Sequence, residues 1–274
     1  MRTVALAGTR LSSSRLGFGL SGLHRVLLPR DRLALLAAAH DSGITYFDAA
    51  PYYGHGLAEH ELGRFADGRR SQLLIATKFG IQPDPWLSRF PALMYARLAA
   101  NASLRRVTRR GAFTIRTQRD YTGSSAVKSL ERSLRALRTD HVDILYLHEP
   151  TLALLGNAER LLDSLEGLQA SGKVRYFGLS GSARDCLDIA RLYPNLGALM
   201  QVDAAHGAGE LELLRESALA VHSSFGHFRG KRAPMIDLLA AAVGMNPNGV
   251  ILFSTRSPQR IRAMAEALPT VETT

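Results

Sequence analysis

Four residues of different acid–base character close or follow three apolar runs of this chain. Asp48 ends the run in ITYFDAAPYYG, and Tyr53 comes five residues later. Lys78 ends LLIATKFG, and His148 ends VDILYLHEP. A carboxylate, a phenol, an amine and an imidazole together equip a proton-transfer site. A free phenol titrates near 10 and is a poor acid at neutral pH. An ammonium beside it favours the phenolate, and a carboxylate paired to that ammonium holds it in place and offsets its charge. An imidazole next to the phenol orients a carbonyl oxygen or relays a proton. The set describes reduction of a carbonyl, or the reverse oxidation, with Tyr53 handling the proton. Tyr53 directly follows Tyr52, and the choice between them rests on the spacing from Asp48.

Singly, each residue has a plain structural role. Asp48 can be a strand-end acid, Lys78 an ion-pair partner and His148 a satisfied buried imidazole. The combination carries the argument. Other chemistries fit less well. No Ser or Cys sits in a GxSxG elbow. No Cys/His spacing indicates zinc, and Tyr and Lys are poor ligands for a divalent ion, so no metal is expected.

Such groups need strands whose C-terminal ends converge. Apolar runs end near Gly19, Asp48, Lys78, His148, Ser180, Gln201, Ser223 and Ser254, with helical patterns between them. Eight successive βα units predict an α/β fold of the (β/α)8 TIM barrel type, with its active site at the C-terminal rim of the strands. No GxGxxG follows the first strand, which argues against a doubly wound dinucleotide fold. The opening TVALAGTRLS reads as an N-terminal β-hairpin able to plug the barrel bottom. Asp31 is placed to cap RLALLAAAHDSG, which Gly43 ends, and Ser124 or Ser125 to cap AVKSLERSLRAL. NAERLLDSLEGLQASG ends on Gly172. Ser257 and Pro258 open a last helix, with proline at the favoured first position.

Residues 1–274 are expected to form one such domain, with one long loop after strand three, an insertion over 81–123. It holds the only Trp, Trp86, and much of the arginine in a chain of net charge +10. Leaving the catalytic rim, it reads as a lid over the substrate, as a solvated basic loop, or as a surface for a membrane or partner. No recognised nucleic-acid motif accompanies it, so no nucleic-acid partner is expected. Nor does any apolar run reach spanning length, so no stable membrane insertion is expected. The N-terminus lacks the long apolar core of a secretory signal, and the one cysteine, Cys186, suits a reducing compartment. A cytoplasmic location is the expectation. Cys186 falls in a helical run and reads as a core or helix-face residue rather than a nucleophile.

GITYFDAAPYYGHGLAEHELG resembles the first signature of the aldo-keto reductases. IATKFG, VDILYLHEP, KVRYFGLSGS and ALMQVD resemble the family's later strand motifs, in the same order. The YYGHGLAEHELG spacing is most similar to the branch with aldose, galactose and pyridoxal dehydrogenases. The resemblance implies an NADP(H)-dependent (β/α)8 oxidoreductase that passes hydride between nicotinamide and a carbonyl, alcohol or lactol carbon of a small molecule. By position it implies Tyr53 as general acid/base, Lys78 as the group that tunes it, Asp48 as the partner of Lys78, and His148 as the group that orients the substrate oxygen. It further implies that Ser180 and Gln201 hold the nicotinamide carboxamide and that Ser223 and Ser224 lie along the pyrophosphate. FSTRSPQRIR occupies the place of the adenosine-phosphate motif, with Ser254, Thr255, Arg256, Gln259 and Arg260 as contacts. Two arginines at a helix N-terminus favour a 2'-phosphate, hence NADP over NAD.

The chain also departs from the family. Gly181 stands where an Asn usually follows the strand-five Ser. His222 stands where an aromatic often stacks on nicotinamide. The stretch between Gln201 and Val250 is short for two barrel helices. These departures touch cofactor binding, and with it the rival reading of a catalytically weak regulatory or binding protein that keeps the barrel. Specificity is expected from the insertion around Trp86, Phe90 and Tyr121. Arg89, Arg97, Arg105 and Arg106 raise the prospect of an anionic substrate.

Overall fold

The computed structural model describes residues 1–6, 8–90, 92–96, 100, 117–156, 158–203, 220–224 and 234–272, with the backbone alone at 203, 220–224 and 272. Two short strands, β1 (Thr3–Ala5) and β2 (Ser12–Ser14), form an antiparallel hairpin. Eight parallel strands follow: β3 (Leu16–Gly19), β4 (Tyr46–Asp48), β5 (Leu74–Phe79), β6 (Val142–His148), β7 (Val174–Gly181), β8 (Leu199–Asp203), β9 (Ala220–Ser224) and β10 (Ile251–Phe253). They close in the order β10-β3-β4-β5-β6-β7-β8-β9, so the expected (β/α)8 barrel is present.

The described helices between them are α1 (Pro29–Asp41), α2 (Leu57–Ala66), α3 (Pro85–Arg89), α4 (Gly123–Leu137), α5 (Leu152–Leu155), α6 (Glu159–Ala170), α7 (Ala183–Leu192), α8 (Met235–Met245) and α9 (Pro258–Glu272).

Alternate residues of a strand face the same side, and this period builds the interior in tiers. Val4, Leu6 and Leu11 of the hairpin segment pack with Tyr46, Leu74, Ala76, Ile144, Tyr146, Leu199, Val250 and Leu252, closing the bottom as expected. One step further along the same faces come Asp48, Lys78 and His148. The polar tier is therefore the last inward rung above an apolar plug. Phe18, Phe47, Ile75, Leu145 and Leu147, on the opposite faces, join the larger core shared with the helices. Cys186 is fully buried there, on α7.

Some helix starts differ from the expectation. α1 begins at Pro29, with Asp31 inside its first turn rather than capping it. Proline fixes φ for the first helical residue and needs no amide partner, so it starts the helix earlier. α4 is capped by Thr122, whose hydroxyl accepts from Ser125 N, and not by Ser124 or Ser125. α9 does start at Pro258, and Ser257 Oγ accepts from Arg260 N at 3.2 Å.

The base of the insertion is tied down. Ile81 bridges Arg119, Gln82 N donates to Gln118 O at 2.9 Å, and Asp120 N donates to Gly80 O at 2.8 Å. Arg97, Arg105 and Arg106 lie outside the described residues, as does most of the stretch between β8 and α8 that reads as trimmed. Among the described residues no helix is long and apolar enough to cross a membrane.

Candidate active site

The closed sheet brings Asp48, Tyr53, Lys78 and His148 together at the C-terminal rim. Asp48 and Lys78 are each only 1% exposed and form an ion pair across β4 and β5. Lys78 Nζ also lies 3.4 Å from Ala49 O. The turn after β4 folds Tyr53 back over the pair, leaving Nζ 5.0 Å from the centre of the phenol ring. His148 meets that ring edge-on, with centroids 5.7 Å apart at 88°. The neighbouring Tyr52 stands further out, 6.5 Å from His148. Geometry thus favours Tyr53, as the spacing does. Among the described residues there is no cluster of three or more His, Cys, Asp or Glu able to hold a metal ion.

Burial sets the electrostatics. It pushes the Lys78 amine below its usual value and the Asp48 carboxyl above its own, and their mutual attraction opposes both shifts. Burial, with the charges of Lys78 and Arg119, holds the His148 imidazole well below its usual range. His148 is therefore neutral at physiological pH. It can orient an oxygen through a hydrogen bond but is not a reservoir of protons.

His148, Ser180, Gln201 and His222 lie side by side in register on β6, β7, β8 and β9. Gln201 hydrogen-bonds the Asp48 carboxyl, while its own amide oxygen is buried with no hydrogen-bond partner among the described residues. A buried unpaired acceptor is costly, and an incoming N–H donor relieves it. A carboxamide such as that of nicotinamide brings an NH2 for Gln201 and an oxygen for Ser180, so this pair fits that group. A Cβ at Gly181 would lie 3.3 Å from Glu149 Cα, close enough that an asparagine there would press on the backbone leaving β6.

The segment after β10 is arranged in part. Ser254 Oγ donates to Gly19 O at 2.6 Å, which commits it to the β10–β3 seam. Thr255 Oγ1 accepts from Ser257 N, and Ser257 Oγ donates to Gln259 Oε1 at 3.1 Å. Arg256 and Arg260 are exposed, with no ion pair among the described residues, at the N-terminus of α9. That end suits a phosphate by charge and by helix dipole. The backbone of His222, Ser223 and Ser224 is in β9, but their side chains lie outside the described residues.

Three features were not read from the sequence. Tyr121, expected near the substrate, is buried, and its hydroxyl donates to His148 O at 2.6 Å and Glu149 O at 2.9 Å. It braces the end of β6 instead. Its ring fills the space beside Gly80, where a Cβ would come within 2.2 Å of it. Arg119 pairs with Glu149 at 2.6 Å, fixing the returning end of the insertion. Glu59 is buried behind β5 and accepts from Thr77 Oγ1 at 2.6 Å. Its position among Ala58, Leu62 and Phe65 was the available signal.

Known proteins are similar to this chain in sequence and in fold. The Aldo/keto reductase family model matches residues 15–199. D-threo-aldose 1-dehydrogenase of a Pseudomonas species is 30% identical over 78% of this chain and 62% of its own length. Pyridoxal 4-dehydrogenase of Microbacterium luteolum is 29% identical over 69% of this chain and 59% of its own length. The matches thus span less than two thirds of these curated relatives. In fold, an aldo-keto reductase from Bacillus halodurans in its holo form superposes with a TM-score of 0.75, at 18% identity, over 98% of this chain and 91% of that one. One from Klebsiella pneumoniae in complex with NADPH gives 0.70 at 19% identity, over 98% and 90%. With the barrel and the family match in agreement, this chain belongs to the aldo/keto reductase family.

Proposed function

We propose that this protein is an NADP(H)-dependent oxidoreductase acting on a small carbonyl compound, or in reverse on an alcohol or lactol, with Tyr53 as the general acid/base. The observation that carries the reading is the Tyr53 ring in contact with both the Lys78 ammonium and the edge-on His148 imidazole. When bound, the nicotinamide supplies or accepts hydride at the carbonyl carbon. Tyr53 gives its proton to the developing alkoxide, and the Lys78 charge offsets the negative charge left on the phenol. Asp48 holds Lys78 against the barrel wall, and His148 directs the substrate oxygen toward the phenol. In the oxidising direction the same phenolate removes the hydroxyl proton.

Ser180 and Gln201 would hold the carboxamide, and Arg256 and Arg260 the 2'-phosphate, with Thr255 and Gln259 beside them. The likeness to D-threo-aldose 1-dehydrogenase and pyridoxal 4-dehydrogenase supports a sugar or aromatic aldehyde as substrate class. The single buried thiol suits a cytoplasmic protein.

Fluorescence titration with NADPH and NADH tests the cofactor. The expected outcome is tighter NADPH binding, with Arg256→Ala weakening NADPH roughly tenfold or more and NADH little, as loss of one charge-assisted contact implies. Equal losses would remove Arg256 from the 2'-phosphate. Gly181 in place of Asn favours a second reading, a cofactor-binding protein of low turnover. Tight NADPH binding without reduction of any carbonyl in a broad panel would select it.

A further inference from the structure

The turn that delivers Tyr53 continues into Gly54, His55 and Gly56, with φ of +61°, +54° and +98°. Three successive left-handed residues are unusual, and a histidine in that region is held there only when its surroundings require it. His55 Nδ1 accepts the backbone N–H of Asp84 at 3.1 Å. An imidazole that accepts at Nδ1 is neutral and carries its proton on Nε2. Asp84 is the cap of α3, with Oδ1 accepting from Trp86 N at 2.9 Å and Leu87 N at 3.1 Å. The first turn of the insertion is thus fastened, through one imidazole, to the turn that carries the phenol.

The fastened helix has two faces. Leu87 is buried. Trp86 and Phe90 stack on each other with centroids 6.3 Å apart at 18°, yet remain 69% and 44% exposed. A pair of aromatic rings left in water beside a reaction site is a surface awaiting an apolar ligand. On the other side of His55, the Tyr52 ring meets it edge-on at 5.9 Å and meets His148 at 6.5 Å. Ring contacts therefore run from His148 through Tyr52 to His55, and His55 reaches the insertion through its hydrogen bond to Asp84 N.

We infer that His55 is a positioning residue that seats α3 against the Tyr53 turn, so that the Trp86–Phe90 pair forms the outer wall for substrates carrying a flat apolar ring. The substrate half of this statement rests on the proposed carbonyl chemistry. The seating half does not.

Trp86 is the only tryptophan in the chain, so its fluorescence reads the state of α3 directly. His55→Gly removes the acceptor and accommodates φ of +54° without strain. His55→Asn tolerates the same φ and restores a short side-chain acceptor. In His55→Gly, Trp86 anisotropy is expected to fall and its acrylamide quenching to rise. With NADPH, KM for benzaldehyde is expected to rise roughly three- to tenfold, the effect of one lost hydrogen bond. The kcat, and KM for propanal, should stay within about twofold, and His55→Asn should return both signals toward wild type. Unchanged anisotropy in His55→Gly, or equal KM changes for the two aldehydes, would overturn the inference. Anisotropy needs no turnover, so it decides the seating even if neither aldehyde is reduced. That last result would overturn the substrate half, and the broad carbonyl panel then decides the proposed reaction separately.

Discussion

Lys78 places its ammonium 5.0 Å from the centre of the Tyr53 ring while its charge is tied to Asp48. The lysine is shared between a structural partner and a chemical one. The two uses separate by experiment, because the Asp48 pair is buried and the Tyr53 ring is half-exposed.

Removing one member of a buried ion pair leaves the other charge uncompensated. Lys78→Met is expected to destabilise the fold by about 3–5 kcal/mol in urea unfolding, while replacing both members by apolar residues of similar size recovers much of that loss. Turnover is expected to fall in both variants. A double variant that is no more stable than Lys78→Met would show that the loss does not come from the charge left on Asp48.

Glu59 gives a stability effect with a defined sign. Burial pushes its carboxyl from 4.5 up to about 7, against the hydrogen bond from Thr77. Between those values the folded protein binds more protons at this site than the unfolded chain does, so this contribution to stability falls as pH rises through the window. Glu59→Gln removes the titration. Relative to wild type, the variant is expected to gain on the order of 3 kcal/mol on going from pH 5 to pH 8, as measured by chemical denaturation at both pH values. An equal difference at the two pH values would mean that Glu59 ionises normally in the fold.

Close packing of α2 on α4 depends on Gly63. A Cβ there would come within 2.3 Å of Ala136 O and 2.7 Å of Leu137 C, both backbone atoms that cannot rotate away. Gly63→Ala is expected to cost about 1–3 kcal/mol, with a matching drop in Tm. A neutral substitution would mean that the two helices part easily, and with them the wall behind Thr77.

The barrel was legible because its signals are periodic. Inward residues alternate along β4, β5 and β6, and the last inward position of each is the polar residue that ends the apolar run. What the sequence hid was non-local. Tyr121 reads as a rim aromatic, but its hydroxyl partners are two backbone carbonyls at the end of β6, a link no spacing announces. The ties that close the insertion, Ile81 to Arg119 and Arg119 to Glu149, join residues far apart in the chain. Asp31 lies inside the first turn of α1 because Pro29, two residues earlier, is the stronger start signal. The burial of Glu59 is hidden because an acid on a helix ordinarily faces water.

The most direct test of the central claim is Tyr53→Phe, with carbonyl reduction and NADPH binding measured on the same sample. The phenyl ring keeps the packing against His148 and the cation above it, and only the proton is lost. The expected result is a kcat lower by roughly 10²–10⁴ with the NADPH Kd within about twofold of wild type. Full kcat in Tyr53→Phe would contradict the account and move the proton to another group.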